Sequence, residues 1–251
     1  MAFCEIKFKS PTLQKCMAMN VLLPQVETSG PYPVYYLLHG LSDDHTIWHR
    51  HTRLEWYVRE LPLIVVMPDG GRSFYCDAVD GPAYETYFME DLIGFVDRFF
   101  PTIAAREGRA IGGLSMGGYA AMKLALKFPD RFCSAVSHSG VLNLARSLPR
   151  EDLRAELRHI LGDDPAGGKD DVFALVEKAD VSTLPALRFD CGVDDGLLQH
   201  NRDFHALLGH LGVPHEYAEF SGGHTWDYWD EHLQEALAFH CRALSLGEQG
   251  A

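Results

Sequence analysis

The sequence predicts an α/β fold: a three-layer sandwich whose central sheet is mainly parallel and carries an antiparallel pair at its N-terminal edge. Three observations lead there. Apolar runs of strand length alternate with stretches of helical period along most of the chain. The opening segments instead alternate apolar and polar residues, as a sheet half open to solvent does. A glycine-rich turn near the middle stands between an apolar strand and an apolar helix.

In order, Phe3 to Ser10 and Cys16 to Leu23 are the antiparallel edge pair. Pro33 to Leu38, Leu63 to Met67, Arg109 to Ile111, Phe132 to Ser137, Ala186 to Asp190 and His215 to Glu219 are apolar and bounded by turn residues, so they are read as buried strands. Between and after them, helical spacing covers Ile47 to Arg59, Glu85 to Phe100, Met116 to Lys127, Asp171 to Lys178, Leu197 to Leu211 and Trp226 to Leu244. Alternation of this kind implies parallel pairing through helical crossovers. Gly140 to Gly168 departs from it: the stretch is charged, helix-prone and broken by Pro149 and Pro165, and is expected to be a small cap-like insertion above the sheet. No repeat or linker divides residues 1–251, and 47% hydrophobic content in 251 residues suffices for one core, so one domain is expected.

Composition removes several function classes. A formal charge of −13 with dispersed basic residues argues against nucleic acid as a partner. The apolar stretches, such as Leu61 to Met67, fall far short of the roughly 20 residues that span a bilayer, so no membrane partner is expected. Residues 1–7 lack the basic start and apolar run of an export signal, and the six cysteines form no C-x-x-C pair, which together fit a cytoplasmic protein with free thiols. Homo-oligomer formation is compatible with everything in the sequence.

The motif that carries chemistry is Gly112-Gly113-Leu114-Ser115-Met116-Gly117-Gly118. It matches the G-x-S-x-G elbow, in which a tight strand-to-helix turn exposes a serine and flanking glycines prevent clashes. The Walker lysine of a phosphate-binding loop is missing. Ser115 is therefore the candidate nucleophile, and the Met116 N–H at the helix start is a candidate oxyanion donor. A serine needs a base, and His224 in Gly222-Gly223-His224-Thr225-Trp226 lies in a flexible loop between the last strand and the last helix. The orienting carboxylate should fall between them in sequence. Asp194 and Asp195 both stand in the loop after Ala186 to Asp190; Asp194 is also placed to cap the following helix, which favours Asp195 without settling the choice. The second oxyanion donor is assigned to the Leu41 N–H in Leu37-Leu38-His39-Gly40-Leu41, with Gly40 letting backbone pass close to substrate.

Asp43, Asp44, His45, His49 and His51 cluster in sequence, but their spacing offers no complete metal shell and they are read as a solvated helix start. The chemistry asks for neither metal nor cofactor. Trp48, Phe74, Tyr75, Trp226 and Trp229 are candidate pocket walls, Trp48 and Trp226 foremost, and His138 and Ser139 are further candidates to line the cleft.

Five segments in this order resemble the esterase family that includes esterase D, tributyrin and feruloyl esterases and the mycolyltransferases: Leu37 to Ser42, Met67 to Tyr75, the Ser115 elbow, Cys191 to Asp195 and Gly222 to Trp226. The resemblance implies an α/β-hydrolase fold, a triad of Ser115, Asp195 and His224, and oxyanion donors from Leu41 and Met116; it also selects Asp195, since the family uses the second acid of the pair. The stretch around His45, Thr46 and Trp48 is most similar to the short tributyrin and feruloyl-type esterases, so hydrolysis of short-chain or aryl esters is the expected activity, a small-molecule ester the expected partner. Leu114 stands where S-formylglutathione hydrolase carries histidine, and that enzyme's loop after His39-Gly40 is absent. A thioesterase of that type and an acyltransferase are the alternatives that the same triad would serve.

Overall fold

Eight strands form one sheet in the order β1-β2-β4-β3-β5-β6-β7-β8. They are β1 (Ala2–Ser10), β2 (Lys15–Leu23), β3 (Val34–Leu38), β4 (Ile64–Pro68), β5 (Arg109–Leu114), β6 (Ser134–His138), β7 (Ala186–Gly192) and β8 (Glu216–Phe220) in a computed structural model that describes residues 1–146 and 153–246. β1 pairs antiparallel with β2, and β2 antiparallel with β4. From β4 across to β8 every pairing is parallel. The mainly parallel sheet with an antiparallel N-terminal edge is as expected, and β1 shows why: exposed and half-buried residues alternate along it until Phe8 and Ser10.

Alternate side chains of each central strand feed two cores. Tyr36, Leu38, Ile64 and Val66 point into the larger one, with residues of the helical segment Tyr84–Phe99 and of α5 (Met116–Lys127), α7 (Val172–Glu177) and α8 (Leu198–Leu211). Tyr35, Leu37, Val65 and Met67 point into the other, beneath α1 (Ile47–His51), α2 (Leu54–Val58) and α9 (Trp226–Ala243). The period-2 alternation of a strand thus builds the three layers.

Three expected elements differ in detail. The helix expected over Ile47 to Arg59 is two short ones, because the Thr52 hydroxyl donates to the Trp48 carbonyl and accepts the Leu54 N–H, replacing helical bonds at that turn. The helix expected over Glu85 to Phe100 starts as α3 (Tyr84–Thr86), widens into a π-helical turn at Tyr87–Leu92 and ends as α4 (Ile93–Phe99). β5 runs on to Leu114 through two glycines, since a Cβ on Gly113 would meet the Leu38 carbonyl at 2.6 Å. In the stretch expected to be an insertion, α6 (Arg154–Leu161) follows Leu153 and sends Leu157, Ile160 and Leu161 into the larger core; residues 147–152 of that stretch lie outside the described residues.

The site follows from the topology. After β3 the chain adds β4 on one side and β5 on the other, so the loops leaving β3 and β5 diverge and open a crevice at the carboxyl edge of the sheet. Gly40–Asp43 leave β3 there, and Ser115 leaves β5.

Candidate active site

Ser115 holds φ 52° and ψ −113°, a left-handed conformation that a non-glycine residue adopts only under constraint. The constraint is visible on both sides. Its N–H donates to the His138 carbonyl at 2.9 Å, and its carbonyl accepts the Tyr119 N–H at 2.9 Å. Gly117, in the first turn of α5, packs so close to β3 that a Cβ there would lie 2.5 Å from the Leu38 carbonyl oxygen. The elbow glycines are therefore required by a backbone-to-backbone approach.

His224 lies in the loop after β8, and its Nδ1–H donates to Asp195 Oδ2 at 2.8 Å. Asp195 Oδ1 accepts the Leu197 N–H at 2.8 Å, so both carboxylate oxygens are engaged. Burial pushes the Asp195 carboxyl up, but the bonds from His224 and the Leu197 N–H outweigh it, and it stays ionised below the ordinary carboxylate range. Asp194 is exposed, and its N–H instead donates to the Gly222 carbonyl at 2.9 Å. That bond and the close pass of Gly192 against Gly222 clamp the Asp195 and His224 loops together.

Ser115, Asp195 and His224 line one cavity of about 700 Å³. The hydrogen bond between Ser115 Oγ and His224 is not formed in this resting geometry; such bonds commonly tighten only when substrate fills the site. Gly40, Leu41 and Met116 also line the cavity, and among the described residues neither the Leu41 nor the Met116 N–H has an acceptor. Two free donors beside a serine suit an anionic oxygen that forms during reaction.

Trp226 lines the cavity as expected, with Trp229 and Phe74. Trp48 and His138 do not. Trp48 is 1% exposed, its indole N–H spent on the Leu38 carbonyl at 2.9 Å, and it meets Trp226 edge-on from beneath at 5.4 Å. His138 is fully buried, with Nδ1 bonded to Asp190 Oδ1 at 3.0 Å; only its carbonyl reaches the elbow. Tyr75 and Ser139 are buried behind the wall too. An apolar run gives no sign of which aromatic ends a layer deeper. Sequence reasoning also passed over His39, whose Nδ1–H donates to the Gly40 carbonyl at 2.7 Å while Nε2 accepts the Gly70 N–H at 2.9 Å, tying the β3 and β4 loops. It passed over Asp43 and His200 as cavity residues as well. Among the described residues, no group of three His, Cys, Asp or Glu side chains is placed to hold a metal ion, and no helix is long and apolar enough to cross a membrane.

A strained serine at a strand-to-helix elbow, facing a histidine–aspartate pair across the carboxyl edge of this sheet, defines a serine hydrolase of the α/β-hydrolase fold. A family model described as "Putative esterase" matches residues 10–240, and the chain belongs to that esterase family; it is a carboxylic ester hydrolase. It is 30% identical over 94% of its length to an acetyl esterase of Caldicellulosiruptor saccharolyticus, of which it covers 97%. Among solved structures it is similar to the fluorophosphonate-binding serine hydrolase FphF of Staphylococcus aureus, with TM-score 0.88 and 32% identity, covering 95% of this chain and 98% of that one. It is also similar to the S-formylglutathione hydrolase FrmB of the same organism, with TM-score 0.84, 31% identity and the same two coverages.

Proposed function

We propose that the chain is a serine carboxylesterase acting on short-chain or aryl esters, acetyl and feruloyl types included, through an acyl-enzyme on Ser115. His224 Nε2 takes the Ser115 proton as the hydroxyl attacks the ester carbonyl, and returns it to the departing alcohol. Asp195 holds the imidazole with Nδ1–H inward and stabilises its cation. The Leu41 and Met116 N–H groups receive the oxyanion, and water activated by His224 then releases the acid. The observation that carries this reading is the 2.8 Å bond from His224 to a buried, fully bonded Asp195 in the cavity that Ser115 enters. The cavity is large enough for an aryl acyl group and is lined mainly by apolar side chains. Residues 1–251 are taken to work as one domain, with the insertion contributing Leu153 to the wall.

The test is hydrolysis of p-nitrophenyl esters from acetate to decanoate, and of methyl ferulate, by wild type and Ser115→Ala. The expected result is turnover favouring short or aryl acyl groups and a loss of at least about 10⁴-fold in the variant. Full activity in Ser115→Ala would overturn the assignment. Product analysis with added alcohol separates hydrolysis from acyl transfer: a dominant transesterified product would make the chain an acyltransferase.

A further inference from the structure

Ser139 has a side chain that the triad chemistry does not use and a backbone that would suit glycine. It follows β6, the strand beside β5, is fully buried, and holds φ 49°, a left-handed conformation that strains a serine and leaves glycine unstrained. Its N–H donates to the Asp190 carbonyl at 2.8 Å, which keeps the turn in that shape. Its hydroxyl accepts the indole N–H of Trp229 at 3.3 Å. An indole nitrogen only donates, so the hydroxyl proton must point to some other acceptor.

Among the described residues two acceptors are within its reach, the Asp195 carboxylate and Cys191 Sγ. Burial pushes the Cys191 thiol up, so the sulfur stays protonated and accepts weakly. The carboxylate is ionised and takes the proton in preference. Against the burial that pushes the Asp195 carboxyl up, the Ser139 hydroxyl therefore works with the His224 ring and the Leu197 N–H to hold it below its ordinary range. Trp229 touches both ends of this arrangement. Its ring meets the His224 ring edge-on, with centroids 4.8 Å apart, and its own N–H donates to the Thr225 carbonyl at 3.2 Å in the first turn of α9. One indole thus packs against the imidazole and turns a hydroxyl toward the carboxylate that orients it. Ser139 does not line the cavity, so whatever it does for the reaction it does through Asp195.

We propose that Ser139 is a positioning residue for the triad: aimed by the Trp229 indole N–H, its hydroxyl donates to Asp195 and fixes the carboxylate that holds His224 in place to take the Ser115 proton. This rests on the Ser115 reading above. The experiment measures the rate of fluorophosphonate labelling of Ser115, and kcat and KM for p-nitrophenyl acetate, in wild type, Ser139→Ala, Ser139→Gly, Trp229→Phe and the double variant Ser139→Gly/Trp229→Phe, with thermal unfolding of each. Ser139→Gly deletes the hydroxyl and relieves the left-handed backbone, whereas Ser139→Ala deletes it and keeps the strain. Both are expected to slow labelling and kcat about tenfold, the lower range for a hydrogen bond to a charged group. KM should stay within about twofold of wild type, because the cavity wall is untouched, and the glycine variant should unfold at the higher temperature of the two. Trp229→Phe keeps a ring against His224 and removes the N–H; it should slow labelling about threefold, the scale of a neutral hydrogen bond. In the Ser139→Gly background the same change should cost less than about twofold, since the two groups act in series. Labelling of Ser139→Gly within about twofold of wild type, against that tenfold expectation, overturns the proposal. So does a slowing confined to Ser139→Ala, which would assign the effect to backbone strain, and losses that add in the double variant overturn the part given to Trp229. Complete labelling of wild type with unmoved variants removes only the role of Ser139, whereas no labelling of wild type removes the Ser115 reading itself.

Discussion

Lys123 tests how the cavity wall is held. Its ammonium is wholly buried on α5, 2.9 Å from Glu85 Oε2 and 3.5 Å from Asp170 Oδ1, and it donates to the Tyr75 carbonyl at 2.6 Å. Lys127 serves the same two carboxylates, at 2.6 and 3.4 Å. Burial alone would lower the Lys123 pKa, but Cys76, Glu85 and Asp170 outweigh it, so the ammonium stays charged. Lys123→Met keeps most of the volume, leaves two nearly buried carboxylates sharing one cation and strips a donor from Tyr75. Breaking a buried pair costs about 3–5 kcal/mol, and the orphaned carbonyl about 1 kcal/mol more. Urea unfolding should therefore show a loss of about 4 kcal/mol or more, equivalent to a Tm roughly 8–16 °C lower for a chain of this size. The same lysine holds the Tyr75 carbonyl; Tyr75 and the preceding Phe74 are both left-handed, at φ 51° and 52°, and Phe74 lines the cavity, so KM for apolar acyl esters should rise as well. Removing a carboxylate along with the cation, in Lys123→Met/Glu85→Gln, should recover about 1–2 kcal/mol of the loss. A single variant less than about 1 kcal/mol below wild type would refute the reasoning, since it would mean that the cluster contributes no more than an exposed pair.

Two further perturbations bear on the site and its support. Asp195→Asn should lower kcat by about 10⁴-fold, as expected when the histidine loses its orienting carboxylate, whereas exposed Asp194→Asn should stay within about threefold of wild type; equal losses would return the choice between them to open. His240 is fully buried, with its pKa lowered from 6.5 to about 3 by burial, aided by His138 and Arg188. The unfolded chain thus binds a proton there that the folded chain refuses, so stability falls as pH drops from about 6.5, by about 1.4 kcal/mol per unit from this group. His240→Phe should reduce the slope of unfolding free energy between pH 6.5 and 5 by about one proton, and an unchanged slope would show that His240 is not the group responsible.

Much of the fold was legible because it is local. α5 spans the expected Met116–Lys127, since strand, elbow glycines and helix are contiguous in sequence and each restricts the next. The edge pair was readable from alternation, because one face of β1 meets water. The strand order was not readable: nothing in β3, β4 and β5 says which two flank the third, a matter of crossover packing. The site divides the same way. Ser115, Asp195 and His224 each sit in a glycine-bearing loop at a strand end, and the structure brings them to one cavity. Trp48 and His138 were candidates to line the same cleft, but their depth is set by what packs against them, Trp226 on Trp48 and Asp190 beside His138, from segments far off in sequence. Asp43 was hidden for the opposite reason: among acidic and histidine neighbours it read as a solvated helix start, and only the turn at Gly40 carries it into the cavity.

The central claim is that Ser115 carries the acyl group. Acid-quenching the enzyme during turnover of p-nitrophenyl acetate and mapping the adduct by peptide mass spectrometry tests it directly. The account predicts one acetyl group per chain, on the peptide containing Ser115, absent in Ser115→Ala. An acetyl group on another residue, or turnover that persists in Ser115→Ala, would contradict it.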